Sequence, residues 1–266
     1  MTSERLDEHQ ALGPDGCVLR CRRLEKRFGR VAALRGIDVE LESGELFGLL
    51  GANGAGKTTL LRCLLTQLTP DAGELRFHDA PLTPRHVQAS FGFLPEQFQP
   101  PGHLTGEELL VEFAWGLRIE RAGVHALLAR VGLMAQRAKR IAAYSRGMLQ
   151  RLGLAMAIVK DPEVLILDEP MLGLDPVGQH QLLSLLRELR ARHTTVLLSS
   201  HTLSHVERAC DRIGVMNEGA LVFVGTVEAF LQRHQTRSLE EAFLRQVEPH
   251  GPTRGAESLR SFSEGG

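Results

Sequence analysis

Short apolar stretches alternate along this sequence with segments whose leucines recur every three or four residues. Runs of alternating or continuous apolar residues predict strands over 17–28, 31–41, 46–50, 164–167, 195–199, 213–216 and 221–224. Helical spacing predicts helices over 57–68, 178–192 and 203–209. Between the first helix and residue 94, shorter strand-like pieces lie between turns. Such alternation of strands and helices predicts an α/β sheet.

Residues 105–160 interrupt this alternation, because they show several consecutive helical patterns with apolar stripes. A connection rich in proline and glycine precedes them, and Asp161-Pro162 follows them. We therefore expect a helical subdomain, about residues 95–160, inserted between two halves of the sheet. The folded domain is expected over 17–247, with a flexible arm over 1–16 and a polar, disordered tail over 248–266.

Composition and charge narrow the class of protein. Of 266 residues, 43% are hydrophobic and 24% charged, which excludes a mainly disordered chain, a collagen and a disulfide-framed miniprotein. The net charge of −1 creates no global attraction for nucleic acid, and no nucleic-acid partner is expected. No apolar run approaches the roughly 20 residues that span a bilayer. The polar N-terminus does not fit a secretory signal, so a cytosolic location is expected.

The four cysteines are Cys17, Cys21, Cys63 and Cys210. They contain no CxxC pair and match no zinc-binding spacing. Because a cytosolic protein keeps its thiols reduced, we expect four free cysteines that are buried or lie at the surface. The cysteines therefore indicate neither a metal site nor a disulfide framework.

The strongest local pattern is GxxxxGK[ST], which follows one predicted strand and opens a helix. Glycines allow backbone N–H groups to turn inward and approach phosphate oxygens, and the helix dipole adds positive potential. Lys57 is expected to reach the β- and γ-phosphates, and the Thr58 hydroxyl to bind Mg²⁺. We call the whole segment the phosphate loop: Gly51, Ala52, Asn53, Gly54, Ala55, Gly56, Lys57, Thr58 and Thr59.

A buried strand that ends in two carboxylates supplies the acidic partner of such a loop. The segment 164–169 reads VLILDE, so Asp168 closes the strand and Glu169 follows it. Asp168 is expected to hold Mg²⁺ directly or through water. Glu169 is placed to polarise an attacking water as general base.

Together these motifs, in this order, resemble the nucleotide-binding subunit of ABC transporters over roughly residues 17–247. The resemblance implies a P-loop NTPase sheet core of ABC ATPase type, with an inserted helical subdomain and an antiparallel β portion. It also implies that ATP and Mg²⁺ bind between two such subunits, most simply a homodimer. Membrane permease subunits would be the other partners.

The resemblance assigns further residues one by one. The segment 144–148, YSRGM, corresponds to the family's LSGGQ and is called the signature segment here; Arg146 and Met148 depart from that pattern. Its Ser145 and Gly147 would contact the nucleotide held by the second subunit. Phe28 falls where an aromatic ring stacks on adenine. His201 matches the switch histidine that contacts the γ-phosphate and orients the water.

Two other segments carry implied roles. The family's lid glutamine falls at Glu96 by register, with Gln97 beside it, and either could reach Mg²⁺ or the water. Asp175 lies in a loop, LGLDP, that crosses the dimer interface in the family. The same Asp175 could also cap the helix that follows it.

Several details resemble ATPases paired with separate export-type permeases: the signature segment, the LPE lid, residues 199–226 and the segment SLEEAFLR. The expected function is thus ATP hydrolysis that drives a permease, by a peripheral subunit on the cytoplasmic face of the cell membrane. The alternative is a soluble regulatory ABC ATPase that acts on the ribosome or DNA. A nucleotide kinase would leave Glu169, the signature segment and His201 unexplained.

Overall fold

A computed structural model describes residues 16–247. The predicted tail and, apart from Gly16, the predicted arm lie outside the described residues. The strands are β1 Cys17–Phe28, β2 Val31–Glu42, β3 Leu46–Gly51, β4 Ala72–Phe77, β5 Ala80–Pro81, β6 Phe91–Leu94, β7 Val164–Asp168, β8 Thr195–Ser200, β9 Arg212–Asn217 and β10 Ala220–Thr226. The helices are α1 Lys57–Leu64, α2 Pro84–Ser90, α3 Gly106–Trp115, α4 Arg121–Arg130, α5 Arg146–Ile158, α6 Pro176–Ala191, α7 Leu203–Ala209, α8 Val227–Arg233 and α9 Leu239–Val247, with 3₁₀ turns at Met134–Gln136 and Ile141–Ala143.

A six-stranded sheet forms the centre, in the order β10-β9-β3-β8-β7-β6. Its β6, β7, β8, β3 and β9 pair in parallel, and only β10 is antiparallel to its neighbour. Every residue of β3, β7 and β8 is buried, as expected for parallel strands covered on both faces. Their carboxyl ends share one edge, and this edge carries the residues that follow Gly51, Asp168 and Ser200.

The second sheet is antiparallel and has the order β2-β1-β4-β5. It packs against α1 and one face of the central sheet, so that Leu24, Ile37, Leu60 and Ile166 belong to one buried apolar cluster. The predicted combination of an α/β sheet with an antiparallel β portion is therefore confirmed. The packing fixes α1, and with it the phosphate loop, between the two sheets.

Helices occupy the chain between β6 and β7. Leu110 of α3, Val124 of α4 and Leu152 of α5 are fully buried in a shared core. At Gly92 in β6, a Cβ atom would lie 2.0 Å from the carbonyl oxygen of Ala157 in α5, so glycine permits this close contact. The helical segment thus packs directly on the central sheet, while the limits proposed for the domains stay predictions.

Some predicted elements differ in the structure. The helix predicted over 57–68 ends at Leu64, and Thr66 adopts a left-handed φ of 54° that continues no helix. Helix α2 was not predicted within 71–94, although Thr83 caps it by accepting a hydrogen bond from the His86 N–H. Helices α8 and α9 were not predicted either.

All four cysteines lie in the described part of the chain and are free: Cys17, Cys21 and Cys63 are buried, and Cys210 is half-buried. The prediction of free thiols is confirmed. Burial raises the pKa of all four thiols. Among residues 16–247, no helix is long and apolar enough to span a membrane.

Candidate nucleotide-binding site

The phosphate loop joins the end of β3 to the start of α1, in the predicted strand-loop-helix context. Gly56 precedes the helix with a left-handed φ of 107°, and no side chain caps the helix N-terminus. The Lys57 ammonium is buried and donates hydrogen bonds to the carbonyl oxygens of Gly51, at 2.6 Å, and Ala52, at 3.3 Å. The N–H groups of this helix start remain without a side-chain cap, as an anion site requires.

Tight contacts from two other elements support the loop. A Cβ atom at Gly56 would lie 2.6 Å from the Ala33 carbonyl oxygen in β2, which leaves room only for glycine. The turn between β9 and β10 contributes the Gly219 N–H, which donates to the Ala55 carbonyl at 3.0 Å. The Gly219 carbonyl in turn accepts from the Arg35 N–H at 2.8 Å. The loop is thereby tied to both sheets.

Asp168 and Glu169 lie where β7 ends, and both are buried. Ser199 of the neighbouring β8 links them, because its hydroxyl donates to Asp168 Oδ1 at 2.5 Å and accepts from the Glu169 N–H at 3.1 Å. Parallel pairing sets Asp168 opposite Ser199 and explains this contact. One hydroxyl thus holds both the expected metal ligand and the backbone of the expected general base.

Glu169 and His201 form the most informative pair in the site. Glu169 Oε1 lies 2.8 Å from His201 Nδ1, although 32 residues separate them in sequence. Burial raises the pKa of Glu169, while the hydrogen bond and charge of His201, and then the charge of Lys57, oppose that rise. Glu169 also has a left-handed φ of 50°, which is strained for a residue with a Cβ atom. The carboxylate is therefore held in an unusual but well-defined position.

One open cleft brings these residues together. Burial lowers the pKa of Lys57, and the nearby charges of Glu169, Asp168 and Glu96 oppose that shift. The cleft is lined by Lys57, Thr58, Glu96, Asp168, Glu169 and His201 and by further phosphate-loop residues. Its far wall is formed by Val31, Ala32, Ala33, Arg35, Glu218 and Gly219. Glu96 lines the cleft, and Gln97 is not among its lining residues.

The donor groups fit a magnesium nucleotide. Mg²⁺ prefers hard oxygen ligands and usually keeps several waters while binding one or two carboxylates and substrate phosphates. The Thr58 hydroxyl and the Asp168 carboxylate supply such oxygens on one cleft. Residues 16–247 contain no cluster of three or more His, Cys, Asp or Glu suited to a metal held by protein alone.

Within the phosphate loop, Gly51 and Ala55 do not line the cleft, and four predicted binding residues from other segments also lie outside it in the single chain. Ser145 caps α5 by accepting from the Met148 N–H at 3.3 Å, and Gly147 packs beside the Gly173 carbonyl. Asp175 caps α6 through the Gly178 N–H at 2.8 Å, which confirms its expected capping role. Phe28 is 49% exposed, with the Lys26 ammonium 5.8 Å from its ring centre. Their proposed nucleotide contacts remain predictions.

The sequence analysis missed three features of the site. Ser199 could have been noticed as a hydroxyl at the end of an otherwise apolar strand. Gln150, buried on α5, donates to the backbone of Glu169 and Pro170, and nothing in its sequence context marks it. The wall formed by Glu218–Gly219 depends on a turn that is distant in sequence from the loop it supports.

Comparisons with known proteins agree with this architecture. A family model described as "ABC transporter" matches residues 34–172. An ABC transporter ATP-binding protein of Nostoc is 42% identical over 78% of this chain and 64% of its own length. The Nod factor export ATP-binding protein I of Burkholderia lata is 39% identical over 79% of this chain and 71% of its own length.

Solved structures show the same fold. A structure of the ATP-binding subunit of an ABC transporter has a TM-score of 0.78 and 28% identity, covering 86% of this chain and 99% of its own. The dimeric structure of a bacterial ABC transporter cassette has a TM-score of 0.72 at 20% identity, covering 79% of this chain and 98% of its own. The chain spans 64% of the length of the Nostoc relative and 59% of the length of a second ABC transporter ATP-binding protein, from Synechocystis.

Proposed function

The chain belongs to the ABC transporter family, and we propose that it binds and hydrolyses ATP as the peripheral subunit of an export-type transporter. Two copies would close around ATP and drive a separate membrane permease from the cytoplasmic face of the membrane. One observation carries the proposal. A single cleft holds Lys57, Thr58, Asp168, Glu169 and His201, with the last two 2.8 Å apart.

Each residue of the cleft has a role in phosphoryl transfer to water. Lys57 would exchange its loop carbonyls for phosphate oxygens and offset negative charge there. Thr58 and Asp168 would hold Mg²⁺, which supplies further charge neutralisation when bound. Glu169 would accept a proton from the attacking water, and His201 would orient that water and the γ-phosphate. Glu96, rather than Gln97, is our candidate for the lid residue because it lines the cleft.

The dimer is proposed because part of the expected site lies elsewhere on the surface. Ser145 is exposed at the N-terminus of α5 and does not line the cleft of its own chain. A helix N-terminus favours negative charge, so Ser145 and Gly147 could meet the γ-phosphate of ATP held by a second copy. Asp175 would lie at the same interface, while Phe28 would stack on adenine beside the wall formed by β2.

An exposed apolar surface supports the permease partner. Trp115 at the end of α3 is 84% exposed, and Phe113 and Leu117 beside it are exposed as well. Such concentration of large apolar side chains in solvent is typical of a surface that another protein covers. Named relatives serve Nod factor export, bacitracin transport and daunorubicin resistance, and these cargoes differ chemically. We therefore assign cargo selection to the permease.

The test uses Glu169→Gln, which keeps the shape of the side chain but removes the base. Purified wild-type chain should hydrolyse Mg-ATP, while the variant should bind ATP and lose about 100-fold or more in kcat. Tagged variant would then be recovered from detergent-extracted membranes with Mg-ATP, and co-purifying proteins identified by mass spectrometry. A polytopic membrane protein in near-stoichiometric amount supports the proposal. Ribosomes, DNA or a soluble dimer alone would overturn the transport role.

A further inference from the structure

Gln150 is a buried polar residue in the middle of α5. Its side-chain amide donates to the carbonyl oxygens of Glu169, at 3.4 Å, and Pro170, at 3.2 Å. Apolar side chains, including Leu94, Leu154 and Leu174, line the small cavity that Gln150 also borders. Loss of the amide would therefore leave the buried Pro170 carbonyl without this partner, while the Glu169 carbonyl would keep a hydrogen bond from the Leu172 N–H at 3.1 Å.

The backbone that receives these hydrogen bonds is strained. Glu169 has a left-handed φ of 50°, a conformation that non-glycine residues adopt only when their surroundings enforce it. Its N–H donates to Ser199 on β8, and its carbonyl accepts from Gln150 on α5 as well as from the Leu172 N–H of its own loop. From this backbone position the carboxylate reaches His201 Nδ1 at 2.8 Å. Two elements, one on each side of the residue, thus fix where the carboxylate lies.

Gln150 also links two parts of the proposed site that belong to different subunits. It lies on the same helix as Ser145, which caps the N-terminus of α5 and would meet the partner's nucleotide. A shift of α5 on contact with that nucleotide would reach the Glu169 backbone through Gln150. We propose that Gln150 is a positioning residue that couples the signature end of α5 to the placement of the Glu169 carboxylate. This inference rests on the proposed function.

The first test is Gln150→Met, which keeps the length of the side chain and removes its donors. We expect kcat for Mg-ATP hydrolysis to fall about 10- to 100-fold, because small displacements of a reacting group have effects of this size. The KM for ATP should stay within about twofold, since Gln150 does not line the cleft. Gln181→Met, an exposed change on the neighbouring α6, is the matched control and should leave both constants unchanged.

A double-variant cycle asks whether Gln150 acts through Glu169. In a Glu169→Gln background the carboxylate is already absent, so Gln150→Met should change the residual rate by less than about twofold. An equal fractional loss in both backgrounds would overturn the inference and assign Gln150 to general packing. An unchanged kcat in a folded Gln150→Met protein would overturn it as well.

Gln150→Glu keeps the volume of the side chain, and it provides the test if the Gln150→Met variant fails to fold. An ionised glutamate cannot donate, but a protonated one regains an O–H donor. The ratio of variant to wild-type kcat should therefore rise as pH falls, while a packing role leaves that ratio flat. Failure of the wild-type chain itself to hydrolyse ATP would instead refute the proposed function, so the two failures are distinguishable.

Discussion

Two helix N-termini carry the phosphate contacts expected in this protein, and they are built in opposite ways. Helix α1 starts inside the cleft, has no side-chain cap, and places the buried Lys57 at its first position. Helix α5 starts on the surface, and Ser145 already caps it. An uncapped helix start leaves its N–H groups available to an anion. At a capped start, the hydroxyl of the capping residue already accepts a hydrogen bond from the helix, so a ligand would have to share that hydroxyl. In the proposed dimer, the α1 site is complete within one chain, whereas the α5 N-terminus would meet the nucleotide of a second copy.

The largest effect should come from the uncapped end. Lys57→Met removes the buried ammonium, so we expect nucleotide binding to weaken and hydrolysis to fall about 100-fold or more. Binding is measured by titration calorimetry and hydrolysis by phosphate release. Arg62→Met, an exposed cation on the same helix, should leave both unchanged. Full retention of hydrolysis by Lys57→Met would contradict the assignment of α1 as the phosphate site.

A mixing experiment tests whether the two ends meet across a dimer. Ser145→Arg and Lys57→Met proteins should each be inactive alone. In a mixed two-fold dimer one site has both defects and the other has none, so an equimolar mixture should regain about a quarter of wild-type activity. Steady-state hydrolysis at equal total protein gives the readout. Absence of recovery, in a mixture shown to form heterodimers, would place both helix ends in the same chain's site.

The pH dependence of hydrolysis should report the pair in the cleft. Because burial raises the pKa of Glu169, activity that needs its ionised form is lost as pH falls, beginning at a higher pH than for an ordinary glutamate. His201 opposes that rise, so His201→Ala should move the acid limb of the kcat profile to still higher pH. His193→Ala, at the opposite end of β8, should leave the limb in place. An unmoved limb in His201→Ala would argue against the coupling.

The smallest effect concerns the cap itself. Ser145→Ala removes the hydroxyl that accepts from the Met148 N–H, and should lower the free energy of unfolding by about 1 kcal/mol. Urea denaturation of the isolated chain measures this. Ser184→Ala, on the exposed side of α6, should change it by less than about 0.5 kcal/mol, since surface changes away from caps have small effects. Equal losses in both variants would show that the α5 cap contributes little.

Local patterns predicted those parts of the site that depend on neighbouring residues in sequence. The glycines and the lysine of the phosphate loop form a pattern that is recognisable in the sequence alone. The carboxyl ends of parallel strands meet at one edge of the sheet, which brings Asp168 and His201 together. Alternating patterns also located nearly all strands of the central sheet. Family resemblance, rather than spacing, singled out His201, and the structure places it against Glu169.

Features set by tertiary contacts escaped the sequence analysis. Gln150 and Ser199 have their roles because α5 and β8 pack beside Glu169. A single sequence does not reveal which elements become neighbours in the fold. The choice between Glu96 and Gln97 depends on the direction in which a loop side chain points. Helix α2 is short and buries none of its residues, so it carries no apolar stripe that periodicity could detect.

The turn between β9 and β10 restricts changes in the length of this hairpin. Gly219 bonds to Ala55 in the phosphate loop and to Arg35 in β2, and its φ of 83° sets a Cβ atom 2.9 Å from the Ala33 carbonyl. Hairpin turns usually accept inserted residues without harm. Here an insertion at 218–219 would displace Gly219 and its hydrogen bond to the phosphate loop, although more than 150 residues separate this turn from the loop. Relatives that keep the loop should therefore keep the length of this hairpin.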